Sequence, residues 1–287
     1  MHEGEPNRPE VNGPGVYGAH ALSAPEGPGS ADGGRGFSEA EIRRYSRQML
    51  LAAVGGEGQA RLRAARILVV GAGGLGAPAA LYLAAAGVGT LGMLDSDAVE
   101  LSNLGRQILY DTKDLDRPKV FAAQARLEAL NPDVRVVPHL ARLAAANARG
   151  LVGGYDVVVE ASDNLGTKFL VNEACVERGI PLVVGAVAGW EGQLLVVRPG
   201  TSACYRCVYR GEPGAGTIPS CEVAGILGPV AGVIGSLQAV AALRLCLGIP
   251  TAMDEGRLLF YDGAAGETTT VAVQRDPGCP ACGKGAR

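Results

Sequence analysis

Ile67-Leu-Val-Val-Gly71-Ala-Gly73-Gly74-Leu-Gly76 is the stretch that decides the fold. Four consecutive apolar residues without a polar face make a short strand suited to a parallel sheet covered on both sides. The glycines that follow have Gly-x-Gly-x-x-Gly spacing, so the chain can turn sharply and open a helix whose first amide N–H groups face an anion. That helix is expected to end near Gly87. Thr90–Leu94 is the next expected strand, and it closes on Asp95, 24 residues beyond Gly71. A carboxylate there suits the two hydroxyls of a ribose. The fingerprint fixes an adenine nucleotide better than it fixes which one: NAD(P), FAD and ATP all remain open. A glycine turn that binds nothing is the bland alternative.

Working outward, β and α signals alternate. Ser38 and Glu41 have the spacing of a capping box, which predicts a helix through Arg44-Tyr-Ser-Arg47-Gln48. A helix is expected over Arg117–Leu130, strands over Val134–Pro138 and Tyr155–Glu160, and a helix over Asn164–Arg178. Pro181–Ala188 and Gly192–Val197 read as strands joined by Gly189-Trp-Glu. Residues 200–227 read as a Gly-, Pro- and Cys-rich loop, followed by a helix through 229–247 and by strands at Arg257–Tyr261 and Thr268–Val273. The fold class is therefore α/β: a Rossmann-like, doubly wound, mainly parallel sheet extended by antiparallel C-terminal strands.

The whole chain sets outer bounds. With 287 residues, 47% of them hydrophobic, it can bury a large core. A net charge of −3 gives no basic face for nucleic acid. The apolar run from Pro229 to Gly248 is interrupted by Ser236, Gln238 and Arg244, so a buried helix fits better than a membrane span. Residues 1–36 hold 9 Gly and 5 Pro and almost no large apolar side chains, so they are expected to form a disordered tail. With no apolar signal segment, a cytoplasmic location is expected. Two of the three His, His2 and His20, fall in that tail and leave only His139, which makes His-dependent catalysis a poor fit.

Of the seven Cys, Cys204, Cys207, Cys279 and Cys282 form two C-x-x-C pairs. Four thiolates in Gly/Pro turns, with no position left open, fit a structural zinc. Disulfides or redox pairs are the alternatives. Cys175 and Cys246 fall in predicted helices and read as packing residues. Cys221 lies in the loop before the 229–247 helix.

Charged groups gather near the nucleotide turn. Ser102-Asn103-Leu-Gly-Arg106-Gln107 and Arg117-Pro-Lys119 follow the second strand, and Asp163-Asn164 follows the strand that starts at Tyr155. Ligands of doubly wound sheets bind beyond the carboxyl ends of the strands. Two cations and a second carboxylate there suit a triphosphate with Mg²⁺. Taken singly, each of these is more ordinary as a surface charge.

Together these motifs resemble the molybdopterin-synthase and thiamine-biosynthesis adenylyltransferases (MoeB, ThiF and HesA), bacterial relatives of the ubiquitin-activating enzymes. The resemblance runs from about Glu41 to Gly283. It is carried by Arg44–Gln48, Gly71–Gly76, Leu94–Asp97, Leu101–Gln107, Arg117–Lys119, Ser162–Asn164 and both C-x-x-C pairs. Gly105 stands where Gln is usual and Ser162 where Thr is usual. The resemblance implies one adenylation domain over 37–287, with a nucleotide-binding half at about 60–165 and a carrier-binding and zinc half at about 166–287. It implies ATP, Mg²⁺ and Zn²⁺ as cofactors. Gly71, Gly73, Gly74 and Gly76 would face the phosphates and Asp95 the ribose. Asn103, Arg106 and Lys119 would contact the triphosphate, and Asp163, beside Asn164, would hold Mg²⁺. Arg47 would cross into the site of a second subunit of a homodimer. Cys221 would lie in the crossover loop, as an acceptor of the acyl group or as a spectator.

The implied reaction adenylates the C-terminal Gly-Gly carboxylate of a small ubiquitin-like sulfur carrier of MoaD or ThiS type. A separate sulfur donor, a cysteine desulfurase or rhodanese, is expected to follow, because the chain ends soon after Cys282. An ATP-dependent tRNA threonylcarbamoyladenosine dehydratase, an NAD-dependent oxidoreductase and a non-catalytic dimer partner are the competing readings.

Overall fold

The computed structural model describes residues 36–211 and 225–283. The expected tail, but for Gly36, and the Cys221 loop lie outside them.

The strands are β1 (Arg66–Val70), β2 (Thr90–Asp95), β3 (Arg135–Leu140), β4 (Val157–Glu160), β5 (Leu182–Ala188), β6 (Glu191–Val197), β7 (Arg257–Asp262) and β8 (Glu267–Ala272). They form one sheet in the order β3-β2-β1-β4-β5-β6-β7-β8. β3, β2, β1, β4 and β5 run parallel. β6, β7 and β8 are added antiparallel. The strand order reverses between β1 and β4, and this opens a crevice beyond their carboxyl ends.

β1 shows why its sequence carries no polar face. Ile67 and Val69 pack into a core with α3 (Gly76–Ala85), α4 (Lys119–Leu130) and a long helix at Gly228–Leu247. Leu68 and Val70 pack into a second core with α5 (Ala145–Val152) and α6 (Leu165–Arg178). Alternate residues of a strand face opposite sides, so a sheet covered twice needs apolar residues at every position. The long helix follows α7 (Tyr205–Val208) and is α8 here. It is apolar enough to cross a membrane by composition, yet half of its most apolar window is buried.

Two N-terminal helices, α1 (Glu39–Met49) and α2 (Gly55–Ala64), precede the sheet. The expected capping box opens α1: Glu41 N donates to Ser38 Oγ at 3.2 Å and Ser38 N to Glu41 Oε2 at 2.7 Å. α1 docks on the far end of α3. Gln48 Nε2 donates to Ala86 O at 2.8 Å, and Asn131 Nδ2 ties Tyr45 Oη (2.9 Å) to Ala84 O (2.7 Å).

Several boundaries differ from the sequence reading. α2 and α5 were not expected. α4 starts at Lys119 rather than Arg117, because Pro118 is extended at ψ 129° and proline disfavours helical geometry in the residue before it. β4 starts at Val157 rather than Tyr155, and it ends at Glu160 as expected, which leaves Asp163 in the bend that follows. Within the 200–227 loop, the described residues include a short helix, α7.

Candidate nucleotide site and cysteine cluster

The glycine turn joins β1 to α3 and needs glycine at two places for different reasons. Gly71 has φ +92°, and a Cβ there would lie 2.8 Å from Ala161 O. A Cβ at Gly76 would lie 1.9 Å from Gly71 O. Gly73 and Gly74 line the same turn, and the Arg106 side chain lies across Gly74, 3.4 Å from where its Cβ would be.

Asp95, at the end of β2, clamps this turn. Its Oδ2 accepts from Ala72 N and its Oδ1 from Asp97 N, both at 2.8 Å. Burial pushes its pKa above the usual carboxylate value, and the Lys119 ammonium pulls it back. Lys119 is buried at the start of α4, with Nζ 3.2 Å from Asp97 Oδ2. Arg106 Nη1 donates to Ser102 O at 3.1 Å. Asn103 is buried and its amide donates to Ser102 Oγ at 3.2 Å. Asp163 and Asn164 lie beyond β4. Asn164 caps α6 by accepting from Thr167 N at 3.0 Å. Asp163 is exposed, and among the described residues it makes no ion pair.

The turn after β1, the end of β2 and the turn after β4 thus meet beyond the carboxyl ends of adjacent strands. They bring together two cations, a free carboxylate and a cradle in which a Cβ finds no room. Such a donor set fits a triphosphate and a hard divalent cation that favours oxygen ligands. Arg47 stands apart. It is exposed on α1, which docks on the far end of α3, and ten helical residues span about 15 Å. One chain therefore does not bring Arg47 to the other predicted residues.

Sequence reasoning missed several groups. Tyr110 Oη donates to Ala72 O at 2.8 Å beneath the turn. Gln107 is buried against Gly73, and its Oε1 has no hydrogen-bond partner among the described residues. Asp97 pairs with Lys119. Glu160 and Lys168 form a buried ion pair under the Asp163 turn. The polar residue that ends the apolar Val157–Val159 run was the one visible signal for that pair.

The four expected cysteines converge. Sγ–Sγ separations are 3.9 Å for Cys204–Cys207, 3.7 Å for Cys204–Cys279 and 3.4 Å for Cys207–Cys282, and all four sulfurs lie within 4.8 Å of one another. Tetrahedral zinc with bonds of about 2.3 Å sets sulfurs roughly 3.8 Å apart, so the cluster fits the ion. Asp276 N donates to Cys207 Sγ at 3.5 Å. Against the upward push of burial, backbone N–H groups of Cys282 and Ala281 hold the Cys279 thiol below its ordinary value. Cys175 and Cys246 lie in helices as expected, and burial pushes the Cys246 thiol up to about 12.

Residues 45–281 match the ThiF family. The chain is 47% identical over 252 residues to the sulfur carrier protein adenylyltransferase of Thermus thermophilus, covering 86% of this chain and 93% of that protein. It is 47% identical over 245 residues to the SAMP-activating enzyme E1 of Haloferax volcanii, covering 85% and 90%. The fold is also similar to the crystal structure of Escherichia coli MccB with MccA-N7isoASN, with a TM-score of 0.75 at 20% identity over 85% of this chain and 75% of that one. At that identity the likeness is one of fold.

Proposed function

The chain belongs to the ThiF family, and on that premise we propose that it is an ATP-dependent adenylyltransferase acting on a small ubiquitin-like sulfur carrier protein. The observation that carries the reading is the meeting of Asp95, Arg106, Lys119 and Asp163 around a glycine turn at the strand-order reversal. The relatives' names give the reaction class. An NAD-dependent oxidoreductase would leave Lys119, Asp163 and the cysteine cluster without a role.

In the proposed reaction the carrier's C-terminal Gly-Gly carboxylate attacks the α-phosphorus of ATP. The bond to the β-phosphate oxygen breaks, pyrophosphate leaves, and an acyl-adenylate forms. A C-terminal carboxyl has a pKa of roughly 3.5 and is already ionised at neutral pH, so no general base is needed. What the step requires is alignment and neutralisation of phosphate charge. Asp95 accepts from the ribose hydroxyls. The turn amides at Gly73, Gly74 and Gly76 face the phosphates, with Asn103 beside them, whereas the expected Gly71 amide is taken by Leu94 O at 2.8 Å and Gly71 serves to turn the chain. Arg106 and Lys119 hold the triphosphate, for which Lys119 exchanges Asp97. Asp163, with Asn164 fixing its turn, would hold Mg²⁺, which when bound shields charge on the leaving pyrophosphate.

Arg47 acts in a second subunit. An apolar strip of Tyr82 on α3, Val233, Leu237 and Val240 on α8, and Ile108 from the loop before α4 supports a homodimer. The nucleotide half spans about 60–165 and the carrier-binding and zinc half about 166–287. Zinc on Cys204, Cys207, Cys279 and Cys282 is structural and ties the C-terminal segment to α7. Four reduced thiolates suit the cytoplasm. A separate sulfur donor converts the adenylate, and Cys221 is the candidate acceptor from the crossover loop.

Incubating the protein with ATP and a candidate carrier, then taking the intact mass of the carrier, tests the assignment. The carrier gains one adenylyl group under this reading. A carrier that stays unmodified while the protein turns over ATP or a nicotinamide would refute it.

A further inference from the structure

The Asp163 turn rests on a buried ion pair that has no part in the roles above. Glu160 ends β4 and is fully buried, and Lys168, in the first turn of α6, is 3% exposed. The two side chains pair directly. Lys168 Nζ also donates to Ser162 O and to Gly185 O, each at 2.7 Å, which uses all three of its donors. On the other side, Ser162 N donates to Glu160 Oε1 at 3.0 Å, and the Ser162 hydroxyl donates to the same oxygen. From α8, Gln238 Nε2 donates to Glu160 O at 2.7 Å.

A buried pair of this kind gives little net stability over well-packed apolar residues, because both charges lose their water. Its geometric effect is specific. Both charged groups bond to Ser162, the residue immediately before Asp163. The adjoining Ala161 carbonyl is the one that a Cβ on Gly71 would strike at 2.8 Å. The network therefore fixes the main chain of the Asp163 turn and its packing on the glycine turn.

We propose that Glu160 and Lys168 are positioning residues for the divalent cation that accompanies the nucleotide, acting through Ser162 to set where the Asp163 carboxylate stands. This rests on the ATP reading above. Both groups are out of solvent's reach, so neither binds the cation itself. They act on Asp163 as the outer partners of a metal site act on its ligands.

The test uses the full-length chain with Mn²⁺ as the probe and the non-hydrolysable α,β-methylene analogue of ATP. Free Mn²⁺ is read by electron paramagnetic resonance, and melting temperature is read alongside. Glu160→Gln with Lys168→Met removes both charges at nearly constant volume, so no lone buried charge remains. That double variant is expected to bind Mn²⁺ about 10-fold or more weakly in the presence of the analogue. Glu160→Asp with Lys168→Arg keeps the charges and their span and is expected to restore affinity. Ser162→Ala, at a half-buried position, is expected to fold and to weaken Mn²⁺ by a smaller factor. A double variant that melts like the wild type and binds Mn²⁺ equally well would overturn the proposal. If the double variant does not fold, wild-type Mn²⁺ affinity in Ser162→Ala overturns it instead. Wild-type protein that takes up no Mn²⁺ with the analogue would overturn the nucleotide reading itself.

Discussion

Gly76 and Gly71 are in backbone contact across the turn: a Cβ on Gly76 would stand 1.9 Å from the Gly71 carbonyl oxygen. No side-chain adjustment relieves a clash with backbone. Gly76→Ala is therefore expected to force the turn open, at roughly 1–3 kcal/mol of stability, and to lose nucleotide affinity. Calorimetric titration with the ATP analogue and thermal melting check both. Gly105→Ala, where a Cβ meets nothing within 4 Å, is the matched control and is expected to be neutral.

Metal analysis is expected to find one zinc per chain. Cys204→Ser should release it and lower the melting temperature by on the order of 10 °C, because a closed four-thiolate site contributes to folding. A metal-free preparation that melts and reacts normally would remove the zinc assignment.

His139 gives a pH signature. It is buried, with Nε2 2.7 Å from Tyr155 Oη, and burial lowers its pKa. The folded state therefore binds fewer protons than the unfolded state once pH falls below the ordinary value of about 6.5. Stability is complete above that value and is lost as pH drops, by up to about 1.4 kcal/mol per unit. Denaturant melts at pH 7 and pH 5 should show a larger loss for the wild type than for His139→Gln.

Asp163 and Cys221 separate two steps. Asp163→Ala should spare the fold, since the side chain is exposed, yet reduce ATP–pyrophosphate exchange by about 10²- to 10³-fold. Cys221→Ser should leave exchange intact and affect only later thioester or thiocarboxylate formation. Loss of exchange in a folded Cys221→Ser protein would move that residue into the adenylation step.

What the sequence revealed and what it hid follow from the range of the interactions. Ile67–Val70 announced a doubly covered strand because each residue answers to its own face, and the Ser38–Glu41 cap is local to one helical turn. The cysteine pairs were legible because thiolate chemistry restricts their use. α2 was hidden because Gly-Gly-Glu-Gly is a poor helix start. That helix exists through tertiary contacts, with Leu62 buried and Gln59 bonded to Gln48 and to Ala86 O. Glu160 and Lys168 were hard to read for the same reason, with only the polar end of the Val157–Val159 run as a signal. Eight residues apart across a strand-to-helix turn, they look like ordinary surface charges until the sheet and α8 close over them. Arg47 shows a further limit, because its proposed role needs a second chain.

ATP–pyrophosphate exchange with a carrier and with the same carrier lacking its last glycine decides whether a Gly-Gly carboxylate is the substrate. Rapid exchange is expected with the intact Gly-Gly terminus and none with the truncated one. Equal exchange with both carriers, or with no carrier at all, would contradict that assignment.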